Sequence, residues 1–462
     1  MNKKLKLFNI TKHSLFLSLL LSSSVLFASE TSRLSDIAPP FQGDDELPKR
    51  TPPIIEIGDA FLGTGNISPG FTLPTGAVWQ PRFWVYGQLN SAVQAWDTGD
   101  GTFNAEWANR LDLFGNLQLT GTERVVIGIQ PLQSKGGQHT GYEFGPEDRG
   151  FEGANINIRT LFFEGDFSEL FPKLDVKDFS SNDLGFSVGR QSILFQDGFI
   201  INDIVDSIGI TRNNLRFSSL PWLSNGRISA VYAWNGIHRD DNLEDENADL
   251  FAIFSQWDTT FSTIDIDVAY VNTDDESGGD LLSGGISGVQ RFGGLSTTLR
   301  ALGSWAPDGR SRQSDNGALF FAEAAWTPAY SVNLAYLNAF ASINNFRSAA
   351  RDVRTGGPLG RTGLLFAARS VGAFPPALSN RADKAYGIAA GYQMFFDNNR
   401  RQFIMEIGGR ADDSNDTTGA GIAARLQQAI GKRYIAQVDG FGVIRDDTDL
   451  GYGVRFEMTV KF

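Results

Sequence analysis

The chain of 462 residues contains no cysteine, only four methionines and only three histidines. Without cysteine it can form neither disulfides nor a lipid anchor on cysteine, and metal sites built from Cys and His ligands are excluded. Beyond residue 28 only His139 and His238 remain, which leaves little material for a catalytic triad. No stretch after residue 28 reaches the roughly 18 consecutive apolar residues that a transmembrane helix needs.

The N-terminus has the features of a secretory signal. Four lysines precede an apolar, leucine-rich stretch from Ser14 to Phe27, and Ala28 is the expected cleavage point. This stretch is too short for a spanning helix, so residues 1–28 are predicted to be a signal peptide. An exported chain without a spanning helix is periplasmic, secreted or a β-barrel, because backbone in lipid must be hydrogen-bonded internally. The net charge of −13 argues against nucleic acid as a partner, since that partner requires a basic surface.

The last residues of the chain alternate between apolar and polar. Apolar side chains occupy every second position: Tyr452, Val454, Phe456, Met458, Val460 and Phe462. Successive side chains of a strand point to opposite faces, so one face is wholly apolar, and the length suits a tilted span of about 9–11 residues. The terminal Phe462 resembles the signal that outer-membrane barrels present to the barrel-assembly machinery. Gly451–Phe462 is therefore predicted to be the last strand of a Gram-negative outer-membrane β-barrel.

Similar alternating segments recur from residue 81 to residue 462, separated by connections that are short and long in turn. Charged residues within these segments suit the lumen face of a water-filled barrel. The pattern predicts a transmembrane antiparallel up-and-down β-barrel of about 18 strands, with 16 as the fallback and a sixth strand over 207–217. The long connections would lie outside the cell, and Gly165–Asp183 would be the one long periplasmic connection.

Residues 29–80 differ from the rest in composition, being rich in proline and glycine with one short apolar run at Ile54–Ile57. They are predicted to form a periplasmic arm or a plug in the barrel mouth. A disordered linker is the alternative, because such a composition often cannot bury enough apolar surface to fold.

The run from Val188 to Gly198 (VGRQSILFQDG) is followed by Ile201, Gly209 and Arg216. This region resembles the corresponding region of the alginate-export family of porins. The resemblance implies an eighteen-stranded outer-membrane barrel with a basic pore for an anionic polysaccharide, and it implies lumen positions for Arg190, Arg212 and Arg216. The chain departs from that pattern in its acidic net charge. Acidic residues also share the inferred lumen face, namely Glu106, Asp112, Asp265, Asp267, Glu323 and Glu406.

The longest connection, residues 341–384, carries seven basic residues against two acidic ones. It also contains Leu364, Leu365, Phe366, Phe374 and Leu378, an unusual set for a loop in water. We therefore expect it to fold into the barrel and narrow the pore, with Arg351, Arg354, Arg361 and Arg369 at the constriction, because rings of charged side chains set channel selectivity. The alternative is a partly ordered outer lid with no role in selectivity.

Further charged residues are predicted to line the solute path through the lumen. They are Arg110, Asp112, Arg124, Arg159, Arg190, Arg212, Arg216, Asp265, Asp267, Arg300, Arg425, Arg455 and Glu457. Together with the loop they predict an outer-membrane porin for passive diffusion of small hydrophilic, anionic solutes. Two alternatives remain: an export channel for an anionic polysaccharide, and a plugged structural or adhesive barrel.

The expected partners are outer-membrane lipid, lipopolysaccharide, the assembly machinery and the solute, with a homo-oligomer possible by analogy with other porins. No cofactor and no metal are expected, since the acidic loop clusters lack the spacing of a calcium loop. The sequence Gly185-Phe186-Ser187-Val188-Gly189 matches the nucleophile elbow of hydrolases, but strand residues flank it on both sides. An enzyme is therefore not expected.

Overall fold

The computed structural model describes most of the chain from Thr51 onward. The described residues are 51–61, 63, 67–145, 148–174, 183–274, 276, 278–369, 371–414 and 416–462. The predicted signal peptide and the first part of the predicted arm, residues 29–50, lie outside them. Within the described ranges, no helix is long and apolar enough to cross a membrane.

Eighteen antiparallel strands close into a barrel, which confirms the predicted fold class and strand number. The strands are β1 (Arg82–Asp97), β2 (Asn104–Gln118), β3 (Arg124–Ile129), β4 (Ile158–Asp166), β5 (Leu184–Phe195), β6 (Ile201–Arg212), β7 (Leu223–Asn235), β8 (Asp249–Thr259), β9 (Ser262–Asn272), β10 (Leu281–Phe292), β11 (Leu295–Trp305), β12 (Gly317–Trp326), β13 (Leu334–Asn344), β14 (Ala385–Phe396), β15 (Arg401–Asp412), β16 (Thr417–Ile430), β17 (Tyr434–Arg445) and β18 (Gly451–Lys461).

The seam between the last and first strands closes the barrel. Strand β18 pairs with β1 from Tyr452↔Asp97 to Lys461↔Gln88. The backbone N–H of Phe462 then donates to the carbonyl of Gly87 at 3.0 Å. Closure at this seam pairs the first strand with the last, so neither has a free edge along these residues, which is the condition for backbone surrounded by lipid.

Burial along the strands separates an outer apolar face from an inner polar one. On β18, Val454 and Phe456 are 55% and 46% exposed, while Arg455 between them is 3% exposed. Exposed aromatic side chains gather near the strand ends at both rims. Those near the ends that carry the long connections are Trp107, Tyr232, Trp234, Trp305, Tyr386 and Tyr452, and those at the opposite ends are Phe292, Trp326, Phe396 and Tyr434. An apolar band between two aromatic girdles is the surface of a transmembrane barrel.

The sixth strand and its neighbouring connections differ from the sequence prediction. Strand β6 covers Ile201–Arg212 instead of 207–217, because the β5–β6 hairpin continues as a two-stranded ribbon up to Phe195↔Ile201. Arg216 consequently lies in the turn after β6. The predicted long connection after Asp166 is present and begins with a one-turn helix at Phe167–Leu170; residues 175–182 of it lie outside the described residues.

The described part of the arm pairs with β1, beyond the residues of β1 that pair with β18. Ile55–Ile57 forms a short strand antiparallel to β1, with Ile55↔Val85 and Ile57↔Phe83. It therefore continues the edge of β1 beyond the end of β18. The ring of Phe61 packs on Trp84 with 5.0 Å between the centroids.

Candidate channel lumen

The connection between β13 and β14, residues 345–384, folds into the barrel, and we call it the inserted loop. Its side chains Phe346, Leu359, Leu365 and Phe366 are 0% exposed. They form one apolar cluster with inward-facing residues of the wall. Burial of a large apolar side chain stabilises by about 1.5–3 kcal/mol. The apolar residues that are unusual for a loop therefore anchor it within the lumen.

A second segment enters the lumen from the opposite part of the wall. The hairpin of β5 and β6 leaves the wall near its tip, and Ile201 pairs in parallel with Ala350 of the inserted loop. Beyond it, Gln196 donates from Nε2 to Asp267 of β9 at 2.8 Å. Phe199 packs on Phe321 of β12 with 5.0 Å between ring centroids. The hairpin tip therefore spans the lumen and supports the inserted loop from one side.

Both ends of the inserted loop are fixed by Asp240, which is 0% exposed and belongs to the connection between β7 and β8. Its carboxylate accepts from Arg347 at 3.4 Å and from the backbone N–H of Ser348 at 3.1 Å. It also pairs with Arg381 near the other end of the loop. Asp383 pairs with both arginines, so two carboxylates and two guanidinium groups form one network, which we call the clasp. The clasp raises the pKa of Arg381, because the attraction of Asp240 and Asp383 outweighs the opposing effect of burial.

The middle of the inserted loop is bound by carboxylates of the wall. Glu406 on β15, which is 1% exposed, accepts from the backbone N–H groups of Leu364 at 2.9 Å and Leu365 at 2.7 Å. Glu106 on β2 accepts from the backbone N–H of Ala373 and lies 3.0 Å from Nε2 of His139. Hydrogen bonds to an ionised carboxylate are worth about 1.5–3 kcal/mol each. These two acids therefore stabilise the loop inside the barrel.

Two of the four predicted constriction arginines have structural contacts. Arg351 is 0% exposed and donates to backbone carbonyls, with 2.7 Å from Nε to Gly356 and 3.2 Å from Nη2 to Thr355. Burial lowers the pKa of Arg351 to about 10, so it stays charged near neutral pH. Arg354 pairs with Asp352 at 3.0 Å. Neither side chain is free to meet a solute.

The other two predicted constriction arginines have no carboxylate partner among the described residues. Arg361 is exposed and lies against the hairpin tip. Its Cδ is 3.2 Å from the position that a Cβ atom on Gly198 would occupy. Arg369 makes one long contact, 3.4 Å to the carbonyl of Leu364, and its buried Nε has no partner. Burial and the nearby Arg425 lower the pKa of Arg369 to about 10. Arg361 and Arg369 therefore have unused capacity to bind an anion.

Most of the charged wall residues predicted for the solute path point into the lumen, and most form an ion pair with a residue of opposite charge. Arg110 lies 2.9 Å from Asp112, Arg124 lies 2.5 Å from Glu164, and Arg425 lies 2.6 Å from Asp439. Arg455 pairs with Glu457, Arg159 with Asp352 and Arg300 with Asp197. Asp265 and Asp267 line a further lumen cavity together with Arg300.

Three predicted path residues do not lie on the lumen row. Arg190 pairs in register with Leu161, which faces outward and is 43% exposed, so its strand parity is outward. Arg212 is the last residue of β6 and lies on the same face of the strand as the exposed Ile210. Its Nη1 donates to the carbonyl of Asp183 at 3.0 Å. Arg216 lies in the turn after β6, because that strand already ends at Arg212. The side-chain period of two sets these positions once the register is known.

Two cavities remain beside the inserted loop and the hairpin tip. One cavity of about 600 Å³ lies along the inner wall of β5 to β7, and another of about 260 Å³ lies under the hairpin tip. The second is bounded by Asp197, Arg227 and Arg300, which mixes both signs of charge. Arg227 and Asp197 were not among the predicted path residues, since their positions depend on where the hairpin tip crosses.

The hydrolase-like motif and the acidic clusters take no site-like arrangement. Ser187 lies in the middle of β5, paired with Gly209 and Glu164, with strand on both sides. Among the described residues, no group of three or more His, Asp or Glu side chains is placed to hold a metal ion.

An 18-stranded closed barrel with a girdled apolar surface and a charged, loop-filled lumen defines an outer-membrane β-barrel of the porin type. Solved structures with this fold include OccAB3 from Acinetobacter baumannii, with a TM-score of 0.55 and 10% identity over 82% of this chain and 99% of that one. A BenF-like porin from Pseudomonas fluorescens gives 0.55 and 10% over 82% and 98%. Pseudomonas aeruginosa OpdK, solved with vanillate, gives 0.52 and 11% over 82% and 98%.

These likenesses establish the fold, and they lie among porin channels rather than enzymes. The narrower resemblance to alginate-export porins finds no specific support among them. No family model matches the sequence, and no curated protein is significantly similar to it.

Proposed function

We propose that the protein is a passive outer-membrane channel for small hydrophilic solutes and that it prefers anions. The observation that carries the anion preference is the pair Arg361 and Arg369 on the inserted loop. Both lie within the barrel without a carboxylate partner among the described residues, whereas most wall charges are paired. Arginine suits carboxylates and phosphates because its planar fork can donate two parallel hydrogen bonds.

The size of the solute follows from the filled lumen. The inserted loop and the hairpin tip occupy the barrel interior and leave separate cavities of a few hundred Å³. A barrel of 18 strands would otherwise leave a wide aqueous channel. This arrangement favours small molecules over the anionic polysaccharide of the alternative reading.

Reversal potentials in a salt gradient across a planar bilayer test the anion preference. We expect the unmodified protein to favour chloride over potassium. The double variant Arg361→Glu/Arg369→Glu should shift the potential toward cation preference, because it changes the charge in the constriction by four units. The control is Arg312→Glu in the outer connection between β11 and β12, since Arg312 is exposed and outside the barrel. It makes the same change of charge as Arg361→Glu or Arg369→Glu alone, so its shift in reversal potential is compared with the shift of each single variant. An unmodified channel that favours cations, or equal shifts per charge in all variants, would contradict the proposal.

A plugged barrel is the second candidate, favoured by the complete burial of Phe346, Leu365 and Phe366 between loop and wall. A plugged protein should insert into the bilayer without conducting, and removal of residues 357–378 should then produce conductance. A channel should conduct with the loop in place.

A further inference from the structure

The inward course of the β5–β6 hairpin leaves a gap in the barrel wall. Pairing between β4 and β5 ends at Leu161↔Arg190, and pairing between β6 and β7 begins at Asp206↔Asn235. Beyond these pairs the hairpin lies in the lumen, so no strand of the described part of the chain fills the wall between the outer ends of β4 and β7. Lys135 and Glu244, from the two flanking connections, bridge this gap at 2.9 Å. We call the gap the lateral notch.

The lateral notch lies at the level of the outer aromatic girdle. Tyr232 and Trp234 are on the outward row of β7 next to Asn235, and they are 36% and 41% exposed. On the other side, Ile158 at the start of β4 is 46% exposed. Aromatic girdles mark the membrane–water interfaces of such barrels. The notch therefore faces the headgroups of the outer leaflet.

A basic pocket of about 310 Å³ fills the lateral notch. Its lining includes Gln130, Lys135, Asn155, Asn157, Arg159 and Arg190. Three of these side chains are cationic, and the carboxylates that pair with them, Glu244, Asp352 and Asp206, lie outside the lining. Amides and cations together suit a ligand that carries both negative charge and hydroxyl or ether oxygens.

Two guanidinium groups in the pocket have unused donors. Arg190 donates from Nη1 to Asp206 at 3.2 Å, but its Nη2 is buried without a partner, and the side chain is 12% exposed. Arg159 pairs with Asp352 of the inserted loop, but its Nε is likewise buried without a partner among the described residues. An unsatisfied buried donor costs about 1–3 kcal/mol, more when charged. An anionic oxygen at this position would recover that cost.

We propose that the lateral notch binds a phosphate group of the outer-leaflet glycolipid, with Arg190, Arg159 and Lys135 as its cationic contacts. The position favours lipid over a dissolved solute, because Arg190 lies on the outward row of β5 and its partner Asp206 pairs with Asn235, next to Trp234 of the outer girdle. Such a lipid would fill the gap that the hairpin leaves in the wall. The site is separate from the loop arginines on which the proposed transport function depends.

Native mass spectrometry of the full chain in detergent tests this site. The probes are lipid A with two phosphates and the same lipid without phosphate. We expect preferential binding of the phosphorylated form, and about tenfold weaker binding by Arg190→Gln/Lys135→Gln, which corresponds to the loss of one to two charge-assisted hydrogen bonds. Arg312→Gln removes an exposed outer arginine away from the pocket and should bind as the unmodified protein does.

Asn157→Asp is a second variant that places a carboxylate in the pocket without touching either arginine, and it should remove the preference. A heat-modifiable shift in gel mobility checks that each variant has folded. Equal binding of the two lipids, or equal weakening by Arg312→Gln, would overturn the proposal. Displacement of the lipid by inorganic phosphate at about 10 mM would assign the pocket to a free anion instead of a lipid.

Discussion

The clasp gives the most direct prediction about opening of the lumen. Asp240→Asn removes the charge that joins Arg347 and Arg381, the two ends of the inserted loop. Breaking a buried ion pair by removing one partner costs about 3–5 kcal/mol. Asp383 still faces both arginines, so we take the lower end, about 3 kcal/mol. At about 1.4 kcal/mol per tenfold change, the ratio of undocked to docked loop should rise roughly a hundredfold.

Single-channel recording in a planar bilayer measures this ratio as the frequency and duration of steps to a higher conductance. The matched control is Asp241→Asn, because Asp241 in the same connection accepts from Gln313 at 2.9 Å and makes no hydrogen bond or ion pair with the described residues of the inserted loop. It should leave the steps unchanged. If Asp240→Asn folds normally but gates within about threefold of the unmodified protein, the clasp does not hold the loop and the reasoning fails.

Other parts of the site give four further predictions. Glu406→Gln weakens the acceptor for the backbone N–H groups of Leu364 and Leu365 and should destabilise the docked loop by about 1–3 kcal/mol. The expected result is more frequent high-conductance steps, and the control Glu164→Gln, at the rim, should leave their frequency unchanged. Arg351→Leu should lower the thermal unfolding temperature without shifting the reversal potential, because its donors bind loop carbonyls. Since the lowered pKa of Arg369 is still about 10, the anion preference should be flat between about pH 6 and about pH 9 and decline only above the latter, measured as reversal potential against pH. Removal of residues 51–61 should leave conductance unchanged if the arm only extends the edge of β1, whereas a gain would indicate a plug.

The barrel wall was predictable because its signal is local. A period of two assigns Val454 and Phe456 to the lipid face and Arg455 to the lumen without any knowledge of neighbouring strands. The same rule places Arg190 on the outward row with Val188, as the structure does, whereas its predicted lumen position came from the family resemblance. What the rule does not show is that the hairpin leaves the wall after Gly189, whose φ is 123°. A departure of this kind depends on contacts with β9, β11 and β12 that are about 70 to 130 residues away in sequence, and no short window contains them.

The loop insertion was predictable, but the separate roles of its arginines were not. Composition distinguishes an apolar, basic loop from a solvated one, and that was sufficient to expect Leu364 and Phe366 inside the barrel. It does not distinguish Arg351, which binds carbonyls of its own loop, from Arg361, which has no hydrogen-bond or ion-pair partner among the described residues. The role of Asp240 was harder still to predict, because the sequence around it is rich in acids and resembles a solvated loop tip. Only the structure shows that Arg347 and Arg381 both contact its carboxylate.

The net charge of the chain is a poor guide to the selectivity of its lumen. The protein carries −13 overall, yet five of its lumen acids are engaged: Asp112, Asp439 and Glu457 by wall arginines, and Glu106 and Glu406 by backbone N–H groups of the inserted loop. A paired carboxylate repels an approaching anion far less than a free one, because the partner cancels most of its field at the distance of a solute. Among the described residues of the inserted loop, the arginines without a carboxylate partner are Arg361 and Arg369. An acidic protein can therefore contain an anion-preferring constriction.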